Sequence, residues 1–155
     1  MRVWRIDRLT FIDKLSGIGG LQSPGRWHNR GNRIIYTASV PSLAALEYLV
    51  HLDPDIAPAD ISLLEIDIPD VISIESCADP ATLNPNWREI HLPEELQDFG
   101  TRWLLEHRTA ILSVPSAIVP MELNYLINPA HPDIARIRVV EEQPFAYDPR
   151  LLKKN

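Results

Sequence analysis

Glu47 stands where a helix is otherwise apolar. In "VPSLAALEYLVH" Leu43, Leu46 and Val50 fall at i, i+3 and i+7, and Glu47 takes the i+4 place in that stripe. Its neighbours Ala44, Ala45, Tyr48 and Leu49 leave almost no polar face to share. A carboxylate in such a setting is either desolvated and in need of a partner, or it faces a cleft. His51 follows one turn later, roughly 5–6 Å away between Cβ atoms, so the two can meet. On helical pattern alone a structural pair, Glu47 with His51 or with an arginine, and a carboxylate poised for chemistry both stay open.

A second concentration of reactive types precedes it. "SPGRWHNRGNRIIYTA", residues 23–38, gathers three arginines, a tryptophan and a histidine around two glycines. Glycine before Arg26 permits tight turning, Trp27 can anchor the loop by burying its ring, and an arginine fixed this way offers a planar fork of donors to phosphate or carboxylate. Taken singly, Arg26, Arg30 and Arg33 each also read as surface arginines. Tyr36 follows on an apolar run, where by itself it is a core tyrosine with a hydrogen-bonded hydroxyl. Ser116 in "SVPSAIVP" follows a proline at a strand end, a setting for local turn hydrogen bonds. It lacks the GxSxG elbow of a hydrolase nucleophile. "NYLINPAHPD", with Asn124, Asn128 and His131, reads as a rigid polar turn.

Several chemistries find no support. No GxGxxG follows a strand and no GxxxxGK[ST] occurs. The five histidines form no His-x-x-x-His pair and Cys77 is alone, so neither a metal site nor an intramolecular disulfide is expected. "MRVWRIDRLT" has no signal-peptide core, and no apolar run approaches the roughly 18 residues of a membrane helix. A cytoplasmic protein without membrane contact is the expectation. The first forty residues hold seven basic side chains against two acidic ones, a net of +5, which leaves −11 for the rest of a chain whose total is −6. This asymmetry fits an anionic ligand held on one side, and equally two regions that pair with each other on folding. Direct nucleic-acid binding is not expected of an acidic domain with no lysine-rich tract.

The elements that must position these residues can be read coarsely. At 155 residues, 45% hydrophobic and 23% charged, the chain is expected to form a single domain over residues 1–155. "VWRI" and "RIIYTA" read as strands, and "VPSLAALEYLVHLDP" as a helix with Pro41 in its first turn and Asp53-Pro54 beyond its end. "DISLLEIDIP" alternates Leu64, Ile66 and Ile68 against Glu65 and Asp67, a half-buried strand, and "VISIES" is a further strand. "LPEELQDFGTRWLLEHR" has helical spacing, weakened at Gly100 by about 1 kcal/mol relative to alanine. "TAILSVPSAIVP" opens as a buried strand, and "ARIRVVEEQPF" sets Ile137, Val139 and Glu141 on one face. Strands and helices mix without doubly wound alternation, so the fold class is α+β (mixed α/β) with a twisted, partly antiparallel sheet.

In order, "GRWHNRG…IIYTA…SLAALEYLVH…SVPSAIVPMELNYLINPAHPD" resembles the RES domain, the toxin half of a bacterial type II toxin–antitoxin family named for its arginine, glutamate and serine. The resemblance runs from about Arg5 to Val139, and it rests on four short motifs in the family's order and spacing. The loop here, Gly-Arg-Trp-His-Asn-Arg-Gly, is longer than the Arg-Trp-Asn version of many relatives. The resemblance implies an ADP-ribosyltransferase/diphtheria-toxin-like fold with surrounding helices and NAD+ as substrate, without a metal. It implies NAD+ depletion by hydrolysis or phosphorolysis, or transfer of ADP-ribose to a protein. As partner it implies an antitoxin with an Xre-type helix-turn-helix domain, and a homodimer within the toxin–antitoxin complex. Carried over by motif, the site is Arg26, Tyr36, Glu47 and Ser116, with His51 and Asn128 as further NAD+ contacts.

These residue types suit that chemistry. Breaking the nicotinamide–ribose bond develops oxocarbenium character at the ribose carbon, as in glycoside cleavage. Glu47 would stabilise that charge or hold ribose hydroxyls, Arg26 would pair with the pyrophosphate, Tyr36 would stack on the nicotinamide, and Ser116 would bond the nicotinamide side or position the acceptor. The competing reading is a non-catalytic module whose basic loop holds an anionic partner and whose Glu47 is only a structural ion pair.

Overall fold

The structure, a computed structural model, describes residues 1–52 and 59–152. One mixed sheet of seven strands organises it. The strands are β1 (Arg2–Arg8), β2 (Ile35–Ala38), β3 (Ile61–Asp67), β4 (Ile74–Ser76), β5 (Ile111–Pro115), β6 (Leu123–Ile127) and β7 (Arg138–Phe145), in the order β4-β5-β6-β2-β1-β3-β7. Only β4 and β5 run parallel; the other neighbours are antiparallel. The helices are the short α1 (Gly19–Gln22), α2 (Pro41–Leu49) and α3 (Glu94–Glu106). The Asp53-Pro54 stop expected after α2 lies outside the described residues. Among the described residues no helix is long and apolar enough to cross a membrane.

The period-2 alternation of the strands builds two cores. Val3, Ile35, Leu64, Ile66, Ile111 and Ile127 point to one face and pack with Ile72, Ala110 and Ile137. On the other face Trp4, Ala38, Asn124 and Val114 stand in one row across β1, β2, β6 and β5. There α3 covers the β5–β6–β2 side, burying Leu96, Trp103 and Leu104 against Leu112, Val114 and Leu126. Helix α2 covers the β1 side with Leu43 and Ala44 against Ala38, Trp4 and Leu63.

Three features depart from the sequence expectation. The stretch expected to be a polar turn begins as strand: β6 takes Leu123–Ile127 with Leu126 and Ile127 fully buried, and the turn starts only at Asn128. An apolar pair between two asparagines is too short to show alternation by itself. The stripe Leu43–Leu46–Val50 is not the buried face of α2, since Leu46 and Val50 are exposed and Leu43 and Ala44 carry the packing. In β7 a bulge opposite Glu65/Ile66 breaks the alternation, so Val139 packs inward and Glu141 stays exposed.

Strands β1 and β2 meet at a single register pair, Trp4↔Ala38. Beyond it they part, on the side of Arg5–Asp7 and Tyr36, and the sheet opens beneath the space between α2 and α3.

Candidate active site

That opening is a cleft of about 480 Å³, within the range of small-molecule sites. Its walls include β1 with Trp4, Arg5 and Asp7; the loop before β2 with Gly25, Arg26 and His28; β2 with Tyr36; α2 with Glu47, Tyr48 and His51; and the end of β5, its connection to β6 and β6 itself with Pro115, Ile118 and Asn124. A second groove, about 310 Å³ between α2 and the C-terminal segment, is lined chiefly by Leu46, Leu49, Phe145, Tyr147 and Leu151. It gathers no cluster of charged groups, so the chemistry belongs to the first.

The Glu47–His51 pair that helical spacing allows is not made. Glu47 is half-buried and its Oε1 accepts from the Ser116 hydroxyl at 2.7 Å and from the Asn124 side-chain amide at 2.5 Å. Among the described residues no donor reaches Oε2. The Ser116 oxygen itself accepts the N–H groups of Ile118 (3.1 Å) and Val119 (3.0 Å), so its single proton is committed to Glu47. Ser116 is fully buried and lies behind the carboxylate, outside the cleft lining. His51 is exposed and lines the rim.

The loop 23–33 is bolted to α3. The Gln97 side chain donates to the Gly25 carbonyl at 3.0 Å, Asn29 N–H donates to Thr101 Oγ1 at 2.8 Å, and the Asn29 amide reaches Asp98 at 2.9 Å. Trp27, 2% exposed, meets Phe99 edge to face at 6.2 Å. Gly100 explains its own presence in mid-helix: a Cβ there would lie 1.9 Å from the Trp27 carbonyl oxygen, so loop and helix touch backbone to backbone. Gly25 is equally confined, since a Cβ would fall 2.6 Å from the Tyr36 hydroxyl.

Within this frame His28 is wholly internal. Its Nε2 faces the Ser23 carbonyl at 3.1 Å and its Nδ1 the Tyr36 hydroxyl at 2.8 Å. A carbonyl only accepts, so the proton sits on Nε2; burial pushes the imidazole pKa down and keeps the ring neutral, and Nδ1 therefore accepts from Tyr36. The Tyr36 oxygen in turn accepts the Trp27 N–H at 3.2 Å, and burial above all holds the phenol protonated. Tyr36 lines the cleft with its hydroxyl already bonded to His28 and Trp27.

Arg26 is half-buried. Its guanidinium donates to the main-chain carbonyls of Trp87 and Glu89 (3.0 Å to the latter), on a loop that passes the cleft and is tied down by Arg88 Nε to the Ala117 carbonyl at 3.0 Å. Among the described residues it makes no ion pair. Desolvation lowers its pKa, offset by the fields of Glu47 and Tyr36. Arg30 and Arg33 are exposed. Asn128, by contrast, is in a buried turn outside the cleft, its amide donating to the Leu104 carbonyl at 2.9 Å and its oxygen accepting the Ala130 N–H at 3.0 Å.

The cleft therefore unites Arg26, Tyr36, Glu47 and His51, with Ser116 behind Glu47 and Asn128 elsewhere. Sequence reasoning placed Asn124 in a polar turn rather than at the site, and it overlooked Gln97, Thr101 and the Arg5–Asp7 ion pair (3.3 Å) on β1. A glutamine next to Leu96 and a glycine three residues on, inside the helix, were the visible signals for a helix serving a loop. The RES domain model matches residues 2–148.

The chain belongs to the RES domain family. It is 42% identical to the "Prs ADP-ribosylating toxin" of Sphingobium sp., over 97% of this chain and 96% of that one. It is 41% identical to "Toxin Res" of Pseudomonas putida, over 97% and 99%, and 38% identical to "Toxin Res" of Yersinia enterocolitica over the same shares. Among solved structures it is similar to a chain of the M. tuberculosis MbcT–MbcA toxin–antitoxin complex, with TM-score 0.75 and 17% identity over 97% of this chain and 86% of that one. That likeness shows a shared fold. Of the arginine, glutamate and serine expected from the resemblance, Arg26 and Glu47 stand on the cleft wall and Ser116 is bonded to Glu47.

Proposed function

We propose that this RES protein is the toxin of a bacterial toxin–antitoxin pair and that it consumes NAD+ by cleaving the nicotinamide–ribose bond. The observation that carries the reading is the Glu47 carboxylate, held through Oε1, in one cleft with Arg26; among the described residues Oε2 has no donor and the arginine no counter-ion. As the C–N bond breaks, its electron pair leaves with nicotinamide, which departs neutral, and positive charge develops at the ribose carbon. Glu47 stabilises that charge electrostatically from a fixed position. Arg26 exchanges its two carbonyl acceptors for pyrophosphate oxygens, a stronger, charge-assisted pairing. The Tyr36 ring supports the nicotinamide, and His51 at the rim adds a polar contact. Asn128, its amide spent internally, has no part in binding.

Water, phosphate or a protein side chain can take the ribose carbon. Transfer to a protein is the second reading, favoured by the name of the Sphingobium relative. The partner is an antitoxin with an Xre-type helix-turn-helix domain, the toxin acts as a homodimer in that complex, and its place of action is the cytoplasm. The test is incubation of purified, antitoxin-free protein with NAD+. Nicotinamide is released, faster with phosphate if phosphorolysis operates, and labelled NAD+ with lysate gives a discrete protein band only if transfer operates. No release under any of these conditions, together with no NAD+-dependent rise in Tm, returns the cleft to a non-catalytic anion site.

A further inference from the structure

Asn124 shares its stretch of sequence with Asn128, and the fold puts the two to different uses. Building on the proposed NAD+ cleavage, we infer that Asn124 is a positioning residue that sets the Glu47 carboxylate for the reaction. Its backbone is fixed within the sheet, paired to Ala38 of β2 on one side and Val114 of β5 on the other. Its Nδ2 donates to Glu47 Oε1 at 2.5 Å, the same oxygen that accepts the Ser116 hydroxyl. Turning the amide over would put oxygen against carboxylate, so Glu47 dictates its orientation. The cost of that orientation is visible: Asn124 Oδ1 is buried with no partner among the described residues. A buried polar atom left unpaired asks for a reason. Local stability supplies none, because an apolar side chain of the same shape would remove the orphan, and Ser116 would still hold Oε1.

The arrangement has a chemical consequence. A glutamate on a helix has three side-chain torsions to lose. Two donors from a rigid sheet, one at the end of β5 and one within β6, converge on a single oxygen. They fix the plane of the carboxylate and leave Oε2 as the only oxygen that substrate can meet. Asn124 touches Glu47 rather than the reacting bond, so removing it affects the chemical step and not capture of NAD+.

Asn124→Leu, Asn124→Ala and Asn124→Asp separate this role from a structural one. The expected result is a kcat at least tenfold lower in all three with KM for NAD+ within threefold of the parent, while Asn124→Leu keeps or raises Tm. Activity and stability then move apart. A kcat within twofold of the parent in Asn124→Leu or Asn124→Ala, or losses of kcat that track losses of Tm across the series, would overturn it. A readout without turnover tests the contact: Asn124→Asp sets two carboxylates together and lowers Tm, and adding Glu47→Gln restores a donor and recovers it. Absence of turnover in the parent protein sinks the NAD+ reading and this role with it, and the thermal recovery then shows whether the contact alone stands. No recovery in a parent that turns NAD+ over removes the contact, and the inference fails by itself.

Discussion

The Glu47 carboxylate is held by side chains of the sheet, and the Arg26 guanidinium by main-chain carbonyls of a loop, although both line one cleft. On the Glu47 side the partners are short side chains with few torsions on or next to paired strands, and one carboxylate oxygen takes both bonds. On the Arg26 side the acceptors are neutral carbonyls at residues 87 and 89, and the guanidinium is half-buried without an anionic partner among the described residues. The difference teaches which group is preorganised and which is exchangeable. Two donors locking a carboxylate suit a group whose charge must already be in place when the transition state forms. A cation that makes do with carbonyls gains by trading them for an anion, which is what a binding group does.

Glu47→Gln breaks the comparison on its stronger side. The amide oxygen still accepts from Ser116 and Asn124, so Tm is expected within about 4 °C of the parent, the equivalent of about 1 kcal/mol at this length. The charge is gone, and kcat is expected to fall at least about a hundredfold, the scale of losing one group aimed at the transition state. A variant that keeps turnover but melts much earlier would make Glu47 a structural residue. Arg26→Ala tests the other side: KM is expected to rise about tenfold to a hundredfold, matching the roughly 1.5–3 kcal/mol of a charged hydrogen bond, with a smaller change in kcat. If kcat collapses and KM stays, the two walls do not divide labour in this way.

Gly100→Ala sharpens the comparison from the scaffold. Alanine is the better helix former by about 1 kcal/mol, yet its Cβ would meet the Trp27 carbonyl oxygen at 1.9 Å. Backbone must give way, so a net loss of about 1–2 kcal/mol is expected, roughly 2–8 °C in Tm by thermal melting. Because Trp27 carries Arg26 with it, KM should rise while kcat changes less. A raised Tm would show that α3 does not set the loop.

What could be read from the residues follows the same divide. Periodicity located α2 and β2, and therefore Glu47 and Tyr36 on their elements, because 3.6- and 2-residue repeats are local. The partners are not local: Ser116 and Asn124 lie 69 and 77 residues from Glu47, and the Arg26 acceptors about sixty residues from Arg26. No short-range pattern encodes those distances. The choice between Asn124 and Asn128 turned on strand register, since 124 lies within β6 facing the cleft and 128 lies past its end. Even the apolar stripe of α2 misled, because Leu46 and Val50 border grooves, and an unfilled groove looks like core in a helical wheel.

His28 gives the smallest effect, and its sign can be worked out. The ring is buried between Ser23 and Tyr36, and desolvation lowers its pKa in the fold below the ordinary value of about 6.5. Between the two values the unfolded chain binds a proton that the folded chain refuses. Folding stability is therefore fully present above pH about 6.5 and declines as pH falls toward the folded value. Protonation would also put a second N–H on Nδ1, so the Tyr36 oxygen would have to accept it and the Tyr36 hydroxyl proton would lose its acceptor. Tm measured from pH 7.5 to 5.5 should fall, and His28→Gln should start lower at pH 7.5 and lose part of that slope. Because the Tyr36 ring and the Arg26 turn rest on this histidine, KM for NAD+ should worsen over the same interval in the parent protein and less in the variant. An unchanged slope in His28→Gln would assign the acid sensitivity to other groups and leave the Arg26 wall supported by α3 alone.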